Sequence, residues 1–264
     1  MSSVTYEFED GLAVLTLCHE GAPVLTSSLM DQLITQVSKA RADECRALLL
    51  RADGHIFLAG ADVASFKGMS EAEARTMFTD FMSVVHEIER LEVPTVAAVQ
   101  GMCLGGGLEM SLACDLILAQ KGTMFGQVEA RLGGVTFLGG TQRLAERCGT
   151  SRALDITYSG SLYTADAFAS WGIVSKVVDV DNFETKAMSL ATSLASGPTA
   201  AHRVTKRVLR TARADGIPEA DALLLQLGPA LLETADMQAA VDVMLTKGSR
   251  DFMADPRPVD FRGE

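Results

Sequence analysis

Two glutamates, Glu109 and Glu129, stand near glycine-containing turns, and their carboxylates could donate or accept protons. Three consecutive glycines, Gly105 to Gly107, come directly before the helix-forming sequence that contains Glu109. Backbone N–H groups at a helix start have no intrahelical partner, and glycine lets a ligand approach them closely. The pattern predicts a small anion or oxyanion site beside carboxylates, which suits acid–base chemistry on a carbonyl compound.

Apolar runs before and after the glycine turn indicate the elements that position both glutamates. Residues 93–99, with Pro94 near the start, are typical of a buried strand, and residues 115–119 are typical of a second one. The order is therefore strand, glycine turn, helix with Glu109, strand, turn, Glu129. Because strand ends and adjoining loops converge in α/β folds, we expect both carboxylates at one pocket.

Other patterns extend this α/β interpretation to both ends of the chain. Alternating apolar residues around Asp10 and Gly11 predict a β-hairpin. Ser70 and Glu73 form a capping box at the start of a helix. Residues 182 onward are predicted to be entirely helical. A dinucleotide-binding fold is disfavoured because no G-x-G-x-x-G sequence opens a βαβ unit.

The composition excludes several function classes. The 264 residues carry a net charge of -11, so long-range attraction to nucleic acid or to an anionic membrane is not expected. The five cysteines are odd in number and form no C-x-x-C pair, which predicts reduced and mostly buried thiols. No signal-peptide pattern and no membrane-length apolar run is present. We therefore expect a cytoplasmic protein, and the four scattered histidines indicate no metal site.

Residues 101–129 resemble the signature of the crotonase superfamily, the enoyl-CoA hydratases and isomerases. Residues 57–63 and 139–144 are similar to two further motifs of that family, and three ordered motifs are far more specific than one. The resemblance covers nearly the whole chain and implies a crotonase-like spiral of repeated ββα units. It implies that residues 1–197 form the spiral core with the CoA and acyl site. Residues 198–264 would form a helical region that builds homotrimers, often paired as hexamers.

The resemblance also implies roles for individual residues. The backbone N–H groups of Ala61 and Gly106 would form the oxyanion hole, Glu109 would activate water, and Glu129 would deliver a proton to C2. No metal or cofactor is implied, since CoA is part of the substrate. The residues implied in substrate and CoA binding are Ala59, Gly60, Asp62, Val63 and Gly105.

Some positions depart from the family pattern. Leu58 stands where small residues are frequent and could reshape the pocket wall. Val128 and the pair Thr136 and Phe137 stand where proline is usual. Near the C-terminus, Asp255 and Pro256 replace a common Lys-Arg pair, which leaves Arg257 as a candidate phosphate contact.

The two retained glutamates favour an enoyl-CoA hydratase, because isomerases of the family commonly work with one main carboxylate. A 3,2-enoyl-CoA isomerase is the first alternative, and product analysis with a 3-enoyl-CoA separates it from a hydratase. A catalytically silent acyl-CoA-binding homologue is the second, and it would bind CoA esters without turnover. RNA binding, known for one branch of the family, is disfavoured by the acidic composition.

Overall fold

The computed structural model describes residues 2–19, 23–255 and 257–263 as a mixed α/β structure, which confirms the predicted class. The strands in chain order are β1 (Ser3–Glu9), β2 (Leu12–Cys18), β3 (Ala47–Ala52), β4 (Thr95–Val99), β5 (Met102–Leu104), β6 (Leu116–Gln120), β7 (Met124–Gly126), β8 (Tyr163–Thr164) and β9 (Lys176–Val178).

Helices fill most of the remaining chain. The α-helices are α1 (Ser27–Ala42), α2 (Glu71–Glu89), α3 (Gly106–Leu112), α4 (Gly140–Cys148), α5 (Thr150–Ser159), α6 (Ala165–Ser170), α7 (Phe183–Ala195), α8 (Thr199–Ala214), α9 (Ile217–Leu227), α10 (Ala235–Lys247) and α11 (Ser249–Ala254). Short 3-10 helices span Val63–Phe66, Glu129–Leu132, Val180–Asn182 and Pro229–Glu233.

The larger sheet has six strands in the order β1-β2-β3-β4-β6-β9. Strands β1 and β2 form the predicted antiparallel hairpin, and Asp10 and Gly11 make its turn with positive φ angles. All other pairs in this sheet are parallel. Parallel strands are buried on both faces, which explains why β4 reads as a continuous apolar run and is buried at every position.

A second sheet has the order β5-β7-β8 and lies next to the functional turns. Strand β4 of the larger sheet is followed by β5 of the smaller sheet and then by α3; β6, β7 and α4 repeat that order. Each repeat therefore contributes one strand to each sheet and then one helix. Because β5 pairs with β7, the turns that follow these two strands lie side by side. The first turn precedes Glu109 and the second precedes Glu129.

The larger sheet separates two apolar clusters, and the alternation of side chains along β2 shows the division. Leu15 and Leu17 belong to the larger cluster, whereas Leu12 and Val14 belong to the cluster that packs against α7. Successive side chains of a strand point to opposite faces, so one buried strand serves both clusters.

The helix termini test several sequence predictions. The capping box of Ser70 and Glu73 at the start of α2 is confirmed. The Gly228-Pro229 pair ends α9 and starts a separate 3-10 helix, as expected from proline. The proposed domain boundary after residue 197 coincides with the short connection between α7 and α8 and stays a prediction.

The basic side chains of α8 attach this helix to the core of the protein. Lys206 Nζ lies 2.7 Å from an Asp115 carboxylate oxygen and donates to the Val93 carbonyl. Arg213 lies within ion-pair distance of Glu89 and Glu146. Part of the positive charge of this helix is therefore paired with carboxylates of the same chain.

Candidate active site

The Ala61 N–H takes no part in the backbone hydrogen bonds that hold its chain segment. Leu25 N–H donates to the Gly60 carbonyl at 2.8 Å, and Asp62 N–H donates to the Leu25 carbonyl at 3.0 Å. Leu25 and Ala61 thus form an isolated parallel bridge, in which Ala61 uses neither of its own polar groups. Among the described residues the Ala61 N–H has no hydrogen-bond acceptor, so it is available to a ligand.

The Gly106 N–H is available for a different reason, because it is the first residue of α3 and has no intrahelical acceptor. The preceding Gly105 has φ 50°, and its own N–H donates to the Gly126 carbonyl at 2.8 Å. A Cβ on Gly106 would lie 2.7 Å from Leu25 Cδ1, so a side chain there would require the Leu25 side chain to shift. Leu25 therefore touches both segments that carry the two free N–H groups.

Both N–H groups belong to residues lining one cavity of about 250 Å³. Most of its wall is apolar, and its ionisable groups are the two carboxylates named above. The lining residues are Leu25, Ala59, Gly60, Ala61, Val63, Phe66, Phe78, Phe81, Gly105, Gly106, Glu109, Val128, Glu129, Leu132, Gly134, Phe137 and Leu138.

Glu109 lies in the first turn of α3 and is only 2% exposed. Its Oε1 accepts hydrogen bonds from Leu138 N–H at 2.9 Å and from Gly140 N–H at 2.7 Å. Both donors come from the turn that starts α4. They fix one oxygen of the carboxylate.

Arg143 holds that turn in place. Its Nη1 donates to the carbonyls of Leu138 and Gly139 at 3.0 and 3.1 Å. Its Nε and Nη2 donate to the two carboxylate oxygens of Glu89 at 2.9 and 2.7 Å, a fork geometry that only arginine provides. Arg143 is thus the link between helix α2 and the N–H groups that orient Glu109.

Glu129 starts the 3-10 helix after β7 and reaches the same cavity. Its Oε1 lies 2.9 Å from where a Cβ on Gly105 would be, so a side chain at Gly105 would displace it. Its Oε2 is buried without a hydrogen-bond partner among the described residues. An unpaired buried oxygen of this kind is suited to carry a proton or to bind a ligand.

Burial changes the acidity of both glutamates, and repulsion by Glu129 adds to the change at Glu109. Burial, and next the nearby Glu129 carboxylate, raise the pKa of Glu109 to about 8, against the opposing effect of its two N–H donors and of Arg143. Burial also raises the pKa of Glu129. Interacting carboxylates titrate as a pair, so the pair retains a proton near neutral pH while its other member can act as a base.

Most residues that the resemblance implicates lie together in the structure. Ala59, Gly60, Val63 and Gly105 line the cavity. Asp62 does not line it, because its carboxylate accepts the Ala64 N–H and caps the 3-10 helix Val63–Phe66. Its role in binding CoA remains a prediction.

The structure places the departure Leu58 and the candidate phosphate contact Arg257, whose role remains a prediction. Leu58 is fully buried and is not part of the cavity wall; a Cβ on Gly107 would lie 2.5 Å from Leu58 Cβ. Arg257 donates to the Ser196 hydroxyl at 2.6 Å. Pro256 lies outside the described residues.

The residues that orient Glu109 were not predicted from the sequence. The Leu138 and Gly140 N–H groups, Arg143 and Glu89 were not assigned to the site. The consecutive glycines Gly139 and Gly140 were the available signal that this turn packs closely against buried side chains. Gly140, for example, leaves space for the buried amide of Gln127. The side-chain partner of Arg143 could not be inferred, since Glu89 belongs to a distant part of the sequence.

Three further expectations concern thiols, metals and membranes. All five cysteines are free, and Cys45, Cys103 and Cys114 are buried. In residues 2–19, 23–255 and 257–263, no group of three His, Cys, Asp or Glu side chains could hold a metal ion. No helix in these ranges has the length and apolar character needed to cross a membrane.

The fold and the paired carboxylates at a backbone N–H site define a crotonase-type protein. The sequence matches the family description Enoyl-CoA hydratase/isomerase over residues 7–255, and the chain belongs to this family of enzymes.

Individual relatives span nearly the full chain. Probable enoyl-CoA hydratase echA8 of Mycobacterium bovis is 27% identical over 95% of this chain and 97% of its own. Short-chain-enoyl-CoA hydratase of Clostridium acetobutylicum is 29% identical over 94% and 96%. The crystal structure of enoyl-CoA hydratase from Bacillus anthracis superimposes with a TM-score of 0.90 at 26% identity, covering 99% of this chain and 100% of that one. The predicted crotonase-like fold is thereby confirmed.

We expect Glu109→Gln to increase the free energy of unfolding relative to the wild type at alkaline pH. Folding raises the pKa of Glu109 from 4.5 to about 8, so the native state binds this proton more tightly than the unfolded chain. The wild type therefore loses stability as pH rises between these values, by at most about 1.4 kcal/mol per pH unit. Denaturant unfolding across this pH range measures the effect. The exposed Glu9→Gln is the control, and a wild-type-to-variant difference that stays constant with pH would contradict the expectation.

Arg143→Gln is expected to raise the pKa of Glu109 further and to reduce stability. The variant removes the cation that opposes the shift and leaves Glu89 with only the more exposed and more distant Arg213 as a cationic neighbour. Loss of one member of a buried ion pair typically costs about 3–5 kcal/mol, and the remaining Arg213 should keep the loss at or below that range. Carboxyl ¹³C NMR titration measures the pKa, and denaturant unfolding measures the stability. Arg75→Gln, at an exposed pair with Glu71, should change stability by less than about 1 kcal/mol. An unchanged Glu109 titration would refute the electrostatic link.

Proposed function

We propose that this chain is an enoyl-CoA hydratase, which adds water in syn fashion to a 2-enoyl-CoA and forms a 3-hydroxyacyl-CoA. One observation carries the proposal: two unpaired N–H groups and two carboxylates, whose pKa values are both raised by burial, line the same apolar cavity. Family membership and the names of the relatives support the same reaction type.

The free N–H groups of Ala61 and Gly106 act on the thioester oxygen. Attack of water at C3 moves negative charge through the conjugated system onto this oxygen. Two preoriented donors stabilise the resulting enolate, and one such donor is worth about 3 kcal/mol. The neighbouring residues Ala59, Gly60 and Gly105 bring the backbone close to the thioester, and Asp62 and Val63 extend this binding segment.

The carboxylates divide the proton transfers. The N–H groups of Leu138 and Gly140 bind Glu109 Oε1 and lower its pKa against the larger effect of burial, so Oε2 of the ionised form holds water and removes its proton, and the fraction of protein in that form rises as the pH approaches about 8. Burial also raises the pKa of Glu129, whose Oε2 has no hydrogen-bond donor among the described residues, and its protonated form gives a proton to C2. Addition of OH at C3 and H at C2 from one side of the double bond completes the hydration. No metal or other cofactor takes part in this proposal.

We further propose that the protein is a homotrimer or a homohexamer. The support is the set of large apolar side chains exposed on the C-terminal helices, because exposed apolar patches of this kind commonly mark interfaces between proteins. Prominent members are Leu209, Ile217, Leu225, Leu232, Leu245 and Met253. Light scattering of the purified chain is expected to give three or six times the chain mass of 28.1 kDa, and a monomer mass would contradict this. The free thiols suit the cytoplasm, which cell fractionation tests.

Hydration of a short 2-enoyl-CoA tests the reaction, with wild type compared to Glu109→Gln and Glu129→Gln. Glutamine keeps the side-chain shape and removes the acid–base function. We expect each variant to lose about 10²–10⁴-fold in kcat, the range typical of a general acid or base. Binding of the saturated acyl-CoA should change little, which separates loss of chemistry from loss of binding.

The outcomes discriminate among the possible activities. Wild-type turnover of a 3-enoyl-CoA without hydration would replace the proposal by a 3,2-enoyl-CoA isomerase. Binding of CoA esters without turnover at any chain length would identify a catalytically silent homologue. Undiminished hydration by both variants would exclude the assigned roles of the glutamates.

A further inference from the structure

An aromatic cluster closes one end of the active-site cavity. Phe78 of α2 and Phe137 of the turn before α4 stack face to face, with ring centroids 3.9 Å apart and an interplanar angle of 5°. Phe66 of the 3-10 helix Val63–Phe66 meets the edge of Phe78 at 6.1 Å and 70°. Three separate chain segments therefore supply one small aromatic wall.

The stacked pair also borders a second apolar space outside the active site. This outer groove has a volume of about 670 Å³ and runs along α2, where Ala74, Met82 and His86 are among its lining residues. Phe78 and Phe137 are the two residues that line both the groove and the active-site cavity in the described structure. The stacked rings therefore lie between the two spaces and form a partition.

The pair is not part of the closely packed core. Phe137 is 36% exposed and Phe78 is partly exposed, whereas Phe57 and Phe125 are completely buried. Truncating a fully buried aromatic leaves a destabilising cavity, but the partly exposed pair already has open space on both sides. Variants at these two positions are therefore suitable for testing specificity.

We propose that the Phe78–Phe137 pair determines acyl-chain length and restricts this enzyme to short acyl groups. The inference rests on the proposed function, in which the cavity holds the acyl group of a CoA ester. A short apolar chain is buried completely in front of the rings, and that burial is favourable. A longer chain reaches the stack and must either fold back or separate the rings. With the rings removed, the added methylenes enter the outer groove.

Binding of saturated CoA esters tests chain length without requiring turnover. Titration calorimetry would compare butyryl-CoA, octanoyl-CoA and palmitoyl-CoA on wild type, Phe78→Ala and Phe137→Ala. Wild type is expected to bind butyryl-CoA at least about tenfold more tightly than palmitoyl-CoA. Each variant is expected to tighten palmitoyl-CoA binding by at least about tenfold, within the range for a few added apolar contacts.

Two further variants serve as controls. Phe8→Ala removes an aromatic of similar exposure, 42%, from a strand that does not line either space. It should leave the chain-length profile unchanged. Phe137→Leu refills part of the partition, and its profile should return toward that of the wild type. Circular dichroism and thermal unfolding of every variant establish that the fold is retained.

The outcomes separate this inference from the proposed function. Equal binding of short and long esters by the wild type, or an unchanged profile in both alanine variants, overturns the partition and leaves hydration unaffected. The expected profile without hydration overturns the proposed function and retains the partition. Failure to bind any of the CoA esters overturns both.

Discussion

The structure of the site depends on how one buried carboxylate is held. Glu109 is almost completely buried, and burial of a charge is unfavourable unless hydrogen bonds compensate for the lost hydration. Two backbone N–H groups provide that compensation at one oxygen, and Arg143 fixes the turn that carries them. Compensation is incomplete, as the raised pKa shows, and a carboxyl group of this kind can exchange a proton near neutral pH.

Close backbone approach is the second requirement of the same site. Gly105 leaves space for the Glu129 carboxylate, Gly106 for Leu25, and Gly107 for Leu58. Each glycine therefore allows a different neighbour to approach the start of α3. A single added methyl group at any of them would therefore require the Glu129 carboxylate, the Leu25 side chain or Leu58 to move.

The sequence predicted the hairpin, the strand–turn–helix order and the meeting of the two glutamates, because these depend on local patterns and on the general geometry of α/β folds. It could not predict interactions that join distant segments without a periodic signal. The Arg143–Glu89 pair and the Phe78–Phe137 stack are of this kind, since each requires α2 to lie against the turn before α4. The role of Asp62 as a cap was also missed, because an acidic residue after a glycine fits both a ligand contact and a turn.

Helix α2 connects two properties of the site that would otherwise be independent. One side of the helix presents Phe78 to the cavity, and its last turn presents Glu89 to Arg143. Arg143 in turn donates to the carbonyls of the turn whose N–H groups bind Glu109. One continuous helix therefore contributes both to the wall of the cavity and, through Arg143, to the position of the N–H groups that orient Glu109.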